Sequence, residues 1–307
     1  MSWRSYAQLV RLPNLPSALA DIGLAGLATG LIVSRLPVFL LLLTSSACLY
    51  LAGMVWNDYF DIDQDRRERP TRPLPSGAIA PRRAALVGGG LMVVGLILAL
   101  VAGYALRSID EAASLMLPVT LAGFLTLTIF LYDAWLKHTP IGPIAMGSCR
   151  SLNILLGFSL AGSLRPDWPL GPHLAAAVGV YIVGVTWLAR TEARATSKTS
   201  LIGATLVLLS AFALALAVPA YRPADTASVV FPYLLASLGF FIGFPLHRAI
   251  THPTPATVQG AVRRCLMGLI VFDTALATGA AGLVGLVLLV LMAPSVYLNT
   301  RAWLYAT

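Results

Sequence analysis

The sequence predicts an all-α, polytopic membrane protein with about nine, or ten, transmembrane helices, and three observations predict it. Of its 307 residues, 58% are hydrophobic and only 11% charged, against about 25% charged in an ordinary soluble domain. Apolar runs of about 20 residues, the length a helix needs to cross a hydrocarbon core, recur from one end to the other. The basic residues gather on alternate loops instead of spreading evenly.

Taken in order, Met1–Asn14 is polar and basic, and the run behind it is long enough to span. No cleavable signal peptide is therefore apparent, and the first span is expected at about 15–35. The second, about 37–57, ends in an acidic segment. A polar stretch rich in Arg and Pro separates it from the third, about 84–106, with Arg82 and Arg83 at the membrane border. Further runs lie at about 112–132, 141–163, 170–190, 199–219 and 228–247. The last two, about 258–278 and 280–299, are parted only by glycine-rich sequence around Gly279, Gly282 and Gly285. They read as two spans, or as one span with an interfacial helix. Polar loops follow the second, fourth, sixth and eighth spans, which suggests two four-helix halves in a single domain covering 1–307.

Fifteen of the 21 Lys and Arg fall on one set of loops, and only Arg35, Arg107, Arg165 and Arg222 on the other. By the positive-inside rule this places the N-terminus and the acidic segment in the cytoplasm. The net charge of +8 is then a topology signal with an attraction to anionic lipids or substrates, and needs no nucleic acid partner. Cys48, Cys149 and Cys265 stand alone in apolar segments and read as small core residues. His138, His173, His247 and His252 are scattered over loop ends and form no metal pattern.

The acids carry the chemistry. The chain has 13 Asp and Glu, and Asp58, Asp61, Asp63 and Asp65 fall within eight residues. On a helix, Asn57, Asp61 and Asp65 lie one turn apart on one face with Asp58 beside them, while Asp63 points away. Carboxylates so close repel one another and call for a cation, and hard oxygen donors suit Mg²⁺. Arg66, Arg67, Arg69 and Arg72 follow directly. Carboxylates for a divalent metal beside arginines for an anion point to a bound phosphate or diphosphate. Arg69 and Arg72 lie in the turn-rich Arg69-Pro-Thr-Arg-Pro-Leu-Pro-Ser-Gly77 and are placed to reach it.

Asn57-Asp-x-x-Asp-x-x-x-Asp65 followed by that Arg- and Pro-rich segment resembles the first aspartate-rich motif of the UbiA superfamily of intramembrane prenyltransferases. Arg11-Leu-Pro-Asn14 before the first span, and Tyr132 with Lys137 after the fourth, support it. Leu131–Lys137 and Met146–Asn153 are similar to a bacterial branch, the UbiA-like EboC proteins. The resemblance implies about nine helices around a cavity open to the bilayer of a bacterial inner membrane. It also implies transfer of an isoprenoid from a prenyl diphosphate to a small polar acceptor. Asn57, Asp58, Asp61 and Asp65 would hold Mg²⁺ and the diphosphate, with Arg66, Arg69, Arg72 and Lys137 as substrate-binding residues and Asp58 and Asp61 as catalytic ones.

One departure stands out. The family's second aspartate-rich motif falls at the end of the sixth span, where this chain has Arg190-Thr-Glu-Ala-Arg194 and Glu192 is the only acid. Arg190 or Arg194 takes the place of a second metal beside Glu192, since a guanidinium orients a phosphate oxygen much as a metal does; otherwise these arginines only anchor the helix end. Within the fifth span, Arg150 and, at i+3, Asn153 lie where a charge costs at least ~2.5–3.5 kcal/mol. They face a wet cavity with a diphosphate or polar acceptor, giving Arg150 a catalytic role, or Arg150 pairs with Asp21 or Asp273. Asp133 and Lys137, at i and i+4, read as a helix-end ion pair. A different class, a protein that binds or transports a lipid diphosphate without turning it over, fits the same first motif.

Overall fold

The computed structural model describes residues 3–163, 169–192, 197–222 and 228–300. Among them there are only helices and turns, with no strand, and eight stretches are long and apolar enough to cross a membrane. The short α1 (Trp3–Leu9) leads through a 3₁₀ turn at Leu12–Asn14 into α2 (Leu15–Thr29). Pro16 sits in the first turn of α2, where its missing N–H costs nothing. Gly30, at φ 69°, ends the helix in the left-handed conformation that glycine adopts freely, so the first span stops short of the expected residue 35. At 15 residues α2 falls below the length of the other eight, and it is the ninth span.

Next come α3 (Leu36–Phe60), α4 (Ile62–Glu68) and α5 (Pro81–Ile109). Small residues let α5 lie close against α3: a β-carbon at Gly95 would sit 2.8 Å from the Leu49 side chain. Ser45 Oγ donates to the Gly95 carbonyl at 2.7 Å. Then follow α6 (Leu117–Ala134), α7 (Gly142–Phe158), α8 (Leu170–Glu192), α9 (Lys198–Leu216), α10 (Val230–Thr251) and α11 (Pro255–Ala281).

Two apolar cores organise these helices. One draws on α3, α5 and α6, the other on α8 to α11, and both take residues from α2 and α7. The two expected halves are thus present, but they share two helices. A third, smaller cluster of Leu9, Val55, Leu74, Ile79 and Ala84 pins the Pro-rich loop onto the end of α3. At the opposite end of the bundle, Arg35 pairs with Asp110 at 3.1 Å and donates to the Leu160 carbonyl at 3.0 Å, tying α3, α5 and α7 together.

The C-terminal part resolves the choice between nine and ten. At Gly282, φ 77°, the chain reverses. It returns as a 3₁₀ stretch, Gly282–Leu291, and α12 (Met292–Asn299). A β-carbon at Gly285 would lie 2.4 Å from the Thr278 backbone nitrogen, so only glycine permits so tight a return. At about 2.0 and 1.5 Å per residue the two pieces together extend about 32 Å, roughly the hydrocarbon thickness. Ser295 Oγ donates at 3.4 Å to the carbonyl of Pro13, just before α2. The return therefore runs the length of the bundle as a tenth crossing of irregular helical form.

Candidate active site

The acidic segment begins in the last turn of α3. Asp61 lies between α3 and α4, yet the helical pattern runs through it: Asp61 N donates to Asn57 O at 3.1 Å, and Asp65 N to Asp61 O at 2.8 Å. Asn57, Asp61 and Asp65 therefore stay on successive turns, as their spacing predicts. Asp58 and Asp65 are buried. Asp63 turns outward, 82% exposed, and pairs with Arg66 at 2.7 Å. Arg66 thus leaves the expected substrate-binding set, because it sits on the outer face of α4 with Asp63.

Each inward carboxylate meets a cation. Asp58 is 2.5 Å from Arg11 and 3.4 Å from Arg72; Asp65 is 2.7 Å from Arg72; Asp61 is 2.6 Å from Lys137. Arg72 bridges two acids because Leu74 and Ile79, pinned beneath the loop, turn it inward. Arg69 stays at the rim, half-exposed and 3.9 Å from Asp65. Asn57 Oδ1 accepts from Arg11 at 3.1 Å, and its Nδ2 donates to Asp133 Oδ1 at 3.2 Å.

Arg11 is the residue that sequence reasoning missed as a site member. It is the one non-glycine with positive φ among the described residues, at φ 45° and ψ 51°. Such a backbone is costly for a side-chain-bearing residue and points to a constrained position. Burial pulls the Arg11 pKa down, but the Asp58 carboxylate more than offsets this and leaves it above its ordinary value. The signal available in the sequence was a lone arginine beside Pro13 at the membrane border.

The expected pair of Asp133 with Lys137 does not form. α6 ends at Ala134, and a 3₁₀ turn, Leu136–His138, carries Lys137 to Asp61 instead. Arg190, near the end of α8, donates to the Lys137 carbonyl. It supports the lysine's turn and pairs with none of the acids among the described residues. The Glu192 side chain and Arg194 lie outside the described residues.

Beside the acidic segment is a cavity of about 230 Å³. Met54, Leu125, Ile129 and Met146 give it an apolar wall, while Arg11, Asn57, Tyr132, Asp133, Arg150 and Asn153 are polar. Of the two partners expected for Arg150, the structure shows Asp21. Arg150 lines the cavity, and it also pairs with Asp21 at 3.2 Å and donates to the Ser17 carbonyl at 3.2 Å. Asn153 donates to Asp21 at 2.8 Å and accepts from Ser46 at 2.6 Å. A charge this deep is tolerated because Asp21 neutralises it. A second recess, about 310 Å³ between α9 and α10, is lined mainly by apolar side chains with Thr205 and His247, and offers no comparable cluster.

Three carboxylates and an amide are the hard oxygen donors that Mg²⁺ takes. Among the described residues, no three His, Cys, Asp or Glu side chains are gathered closely enough to hold a metal. Arg11, Arg72 and Lys137 lie against these carboxylates and supply the positive charge that a metal would supply. The donor types, not their present spacing, fit Mg²⁺.

Comparison with known proteins bears on this arrangement. A family model described as the UbiA prenyltransferase family matches residues 16–267. A digeranylgeranylglyceryl phosphate synthase of Methanospirillum hungatei JF-1 is 31% identical over 169 residues, 53% of this chain and 54% of that protein. One of the same name from Metallosphaera sedula is 32% identical over 158 residues, 50% of each. The chain spans about half the length of the curated relatives it matches. Among solved structures, the apo form of a UbiA homologue from Aeropyrum pernix K1 aligns with a TM-score of 0.64 and 17% identity over 86% of this chain and 96% of that one. A UbiA homologue from Archaeoglobus fulgidus, bound to GPP and Mg²⁺, aligns with a TM-score of 0.53 and 17% identity over 85% and 98%. These structures share the fold, and the chain belongs to the UbiA prenyltransferase family.

Proposed function

We propose that this member of the UbiA prenyltransferase family transfers an isoprenoid group from a prenyl diphosphate to a small polar acceptor within the membrane, in a Mg²⁺-dependent reaction. The observation that carries this reading is the set of ion pairs beside a mainly apolar cavity: Asp58 with Arg11 and Arg72, Asp65 with Arg72, and Asp61 with Lys137. A diphosphate brings the anion that these arginines and the lysine can take, and its metal brings the cation that the carboxylates can take.

Asn57, Asp58, Asp61 and Asp65 are the proposed Mg²⁺ residues. Bound Mg²⁺ would supply charge stabilisation to the leaving diphosphate. Arg72, Lys137 and Arg11 bind the diphosphate oxygens, and Arg69 screens them from the rim. Arg190 positions Lys137, and Arg150 with Asn153 forms the polar wall facing the acceptor. Glu192 and Arg194 are the proposed further contacts at the end of α8. The C–O bond between the allylic carbon and the diphosphate breaks with its electron pair staying on the diphosphate. The acceptor's nucleophile bonds to the allylic carbon and releases its proton. The apolar wall keeps water from the cationic carbon in between. The basic bias of one set of loops supports a cytoplasmic placement of this end of the bundle. The whole chain, 1–307, is read as one domain because α2 and α7 belong to both cores.

Within the family, Leu131–Lys137 and Met146–Asn153 support an EboC-like placement, while the relatives above bear another name. The acceptor decides between them. The test uses detergent-solubilised full-length protein with radiolabelled geranylgeranyl diphosphate, Mg²⁺ and an acceptor panel. Diphosphate release and a prenylated product are expected, both lost with chelator and in Asp61→Ala. Tight binding without turnover across the panel would instead favour a lipid-diphosphate carrier.

A further inference from the structure

Three charged side chains line the cavity, and two are already paired: Arg11 with Asp58 and Arg150 with Asp21. The third, Asp133, is 3% exposed, and among the described residues no Arg or Lys lies within ion-pair distance of it. Among the described residues it accepts from a neutral donor, the Asn57 amide, at 3.2 Å on Oδ1. A hydroxyl would suffice to receive that amide. A carboxyl brings further lone pairs, and in a cavity wall these are costly to leave unmet.

We propose that Asp133 is the acceptor-recognising residue, and that the acceptor is an uncharged molecule presenting hydroxyl or amino hydrogen-bond donors to it rather than a phosphate. This rests on the donor reading given above. Position supports it. Asn57 holds Arg11 on its oxygen and Asp133 on its nitrogen, so Asp133 stands one side chain away from the diphosphate end. A molecule bound to Asp133 lies beside the apolar wall where the prenyl group would run. Charge supports it too. A phosphate there would face a carboxyl, and neither cavity arginine is left for it: Arg150 is paired with Asp21, and Arg11, when it leaves Asp58, is taken by the donor's diphosphate. Sites built around a hydrogen bond to a substrate hydroxyl reject analogues that cannot make it far more strongly than apolar sites reject a change of size.

The test is a binding measurement on the full-length protein loaded with Mg²⁺ and the unreactive geranylgeranyl S-thiolodiphosphate. Two probes differ in one group: a geranylgeranyl glycerol monoether and the same ether carrying a phosphate. The wild type is expected to bind the neutral ether roughly tenfold or more tightly than the phosphate. That preference should fall to near parity in Asp133→Asn, which keeps an oxygen for the Asn57 amide, and in Asp133→Ala. A wild-type preference for the phosphate, equal binding of the two, no binding of the neutral ether, or an unchanged preference in both variants would overturn the proposal. Thermal stabilisation by the thiolodiphosphate is read in the same samples. Its absence in the wild type strikes the donor reading, and its retention in the variants leaves that reading intact whatever the ether probes show.

Discussion

The end of α3 and the end of α8 bring charge to the same place in opposite ways. At α3, three acids are interlocked with Arg11, Arg72 and Lys137, two of them reaching in from other segments. At α8, Arg190 makes its contact with a backbone carbonyl, that of Lys137. One end supplies interlocked ion pairs; the other steadies the lysine of one of them. A site with a metal on each side would need matched carboxylates. Among the described residues the acids of the cluster belong to one side, and the other enters by way of the lysine's turn.

The sharpest way to break this comparison is Asp58→Ala, which strips Arg11 and Arg72 of a shared partner. Diphosphate release should fall by about 10²–10³-fold in steady-state assays. Arg190→Ala should cost about tenfold, chiefly as a raised KM for the prenyl diphosphate, because it loosens the turn that presents Lys137. Arg190→Gln, which can still donate to the carbonyl, should recover part of it. A loss in Arg190→Ala as large as that in Asp58→Ala would make the two ends equals. The smallest effect belongs to Arg66→Ala. Its pair with Asp63 is exposed, worth no more than about 1 kcal/mol. Turnover should change by less than about twofold, and the thermal midpoint by only a degree or two.

The membrane helices were legible because hydropathy at spanning length has few other causes, and the acidic run because acids are so scarce in this chain. What stayed hidden depended on where a helix stops or which way a loop turns. Asp133 and Lys137 would pair if α6 ran four residues further; it ends at Ala134, and the lysine goes to Asp61. Of the four arginines at 66–72, only Arg72 is drawn deep into the acids, through the burial of Leu74 and Ile79 under the loop. Arg11 meets Asn57 across 46 positions, a contact that no local pattern encodes. Arg150 pairs with Asp21 while edging the cavity, a pair across 129 positions that likewise no local pattern encodes.

The return segment has a consequence for biosynthesis. A chain made from its N-terminus places α2 in the membrane long before residues 282–299 exist. Until then Gly23 lacks the Leu288 side chain that packs on it, and the Pro13 carbonyl lacks the Ser295 hydroxyl. Arg11 stands two residues before Pro13, in the turn those contacts brace. Arg11 and the acids of α3 that it meets are all made before the segment that packs on Gly23 and reaches Pro13. Translation that halts before Gly282 would leave α2 and the turn before it without their Leu288 and Ser295 contacts, with the acids of α3 already in place.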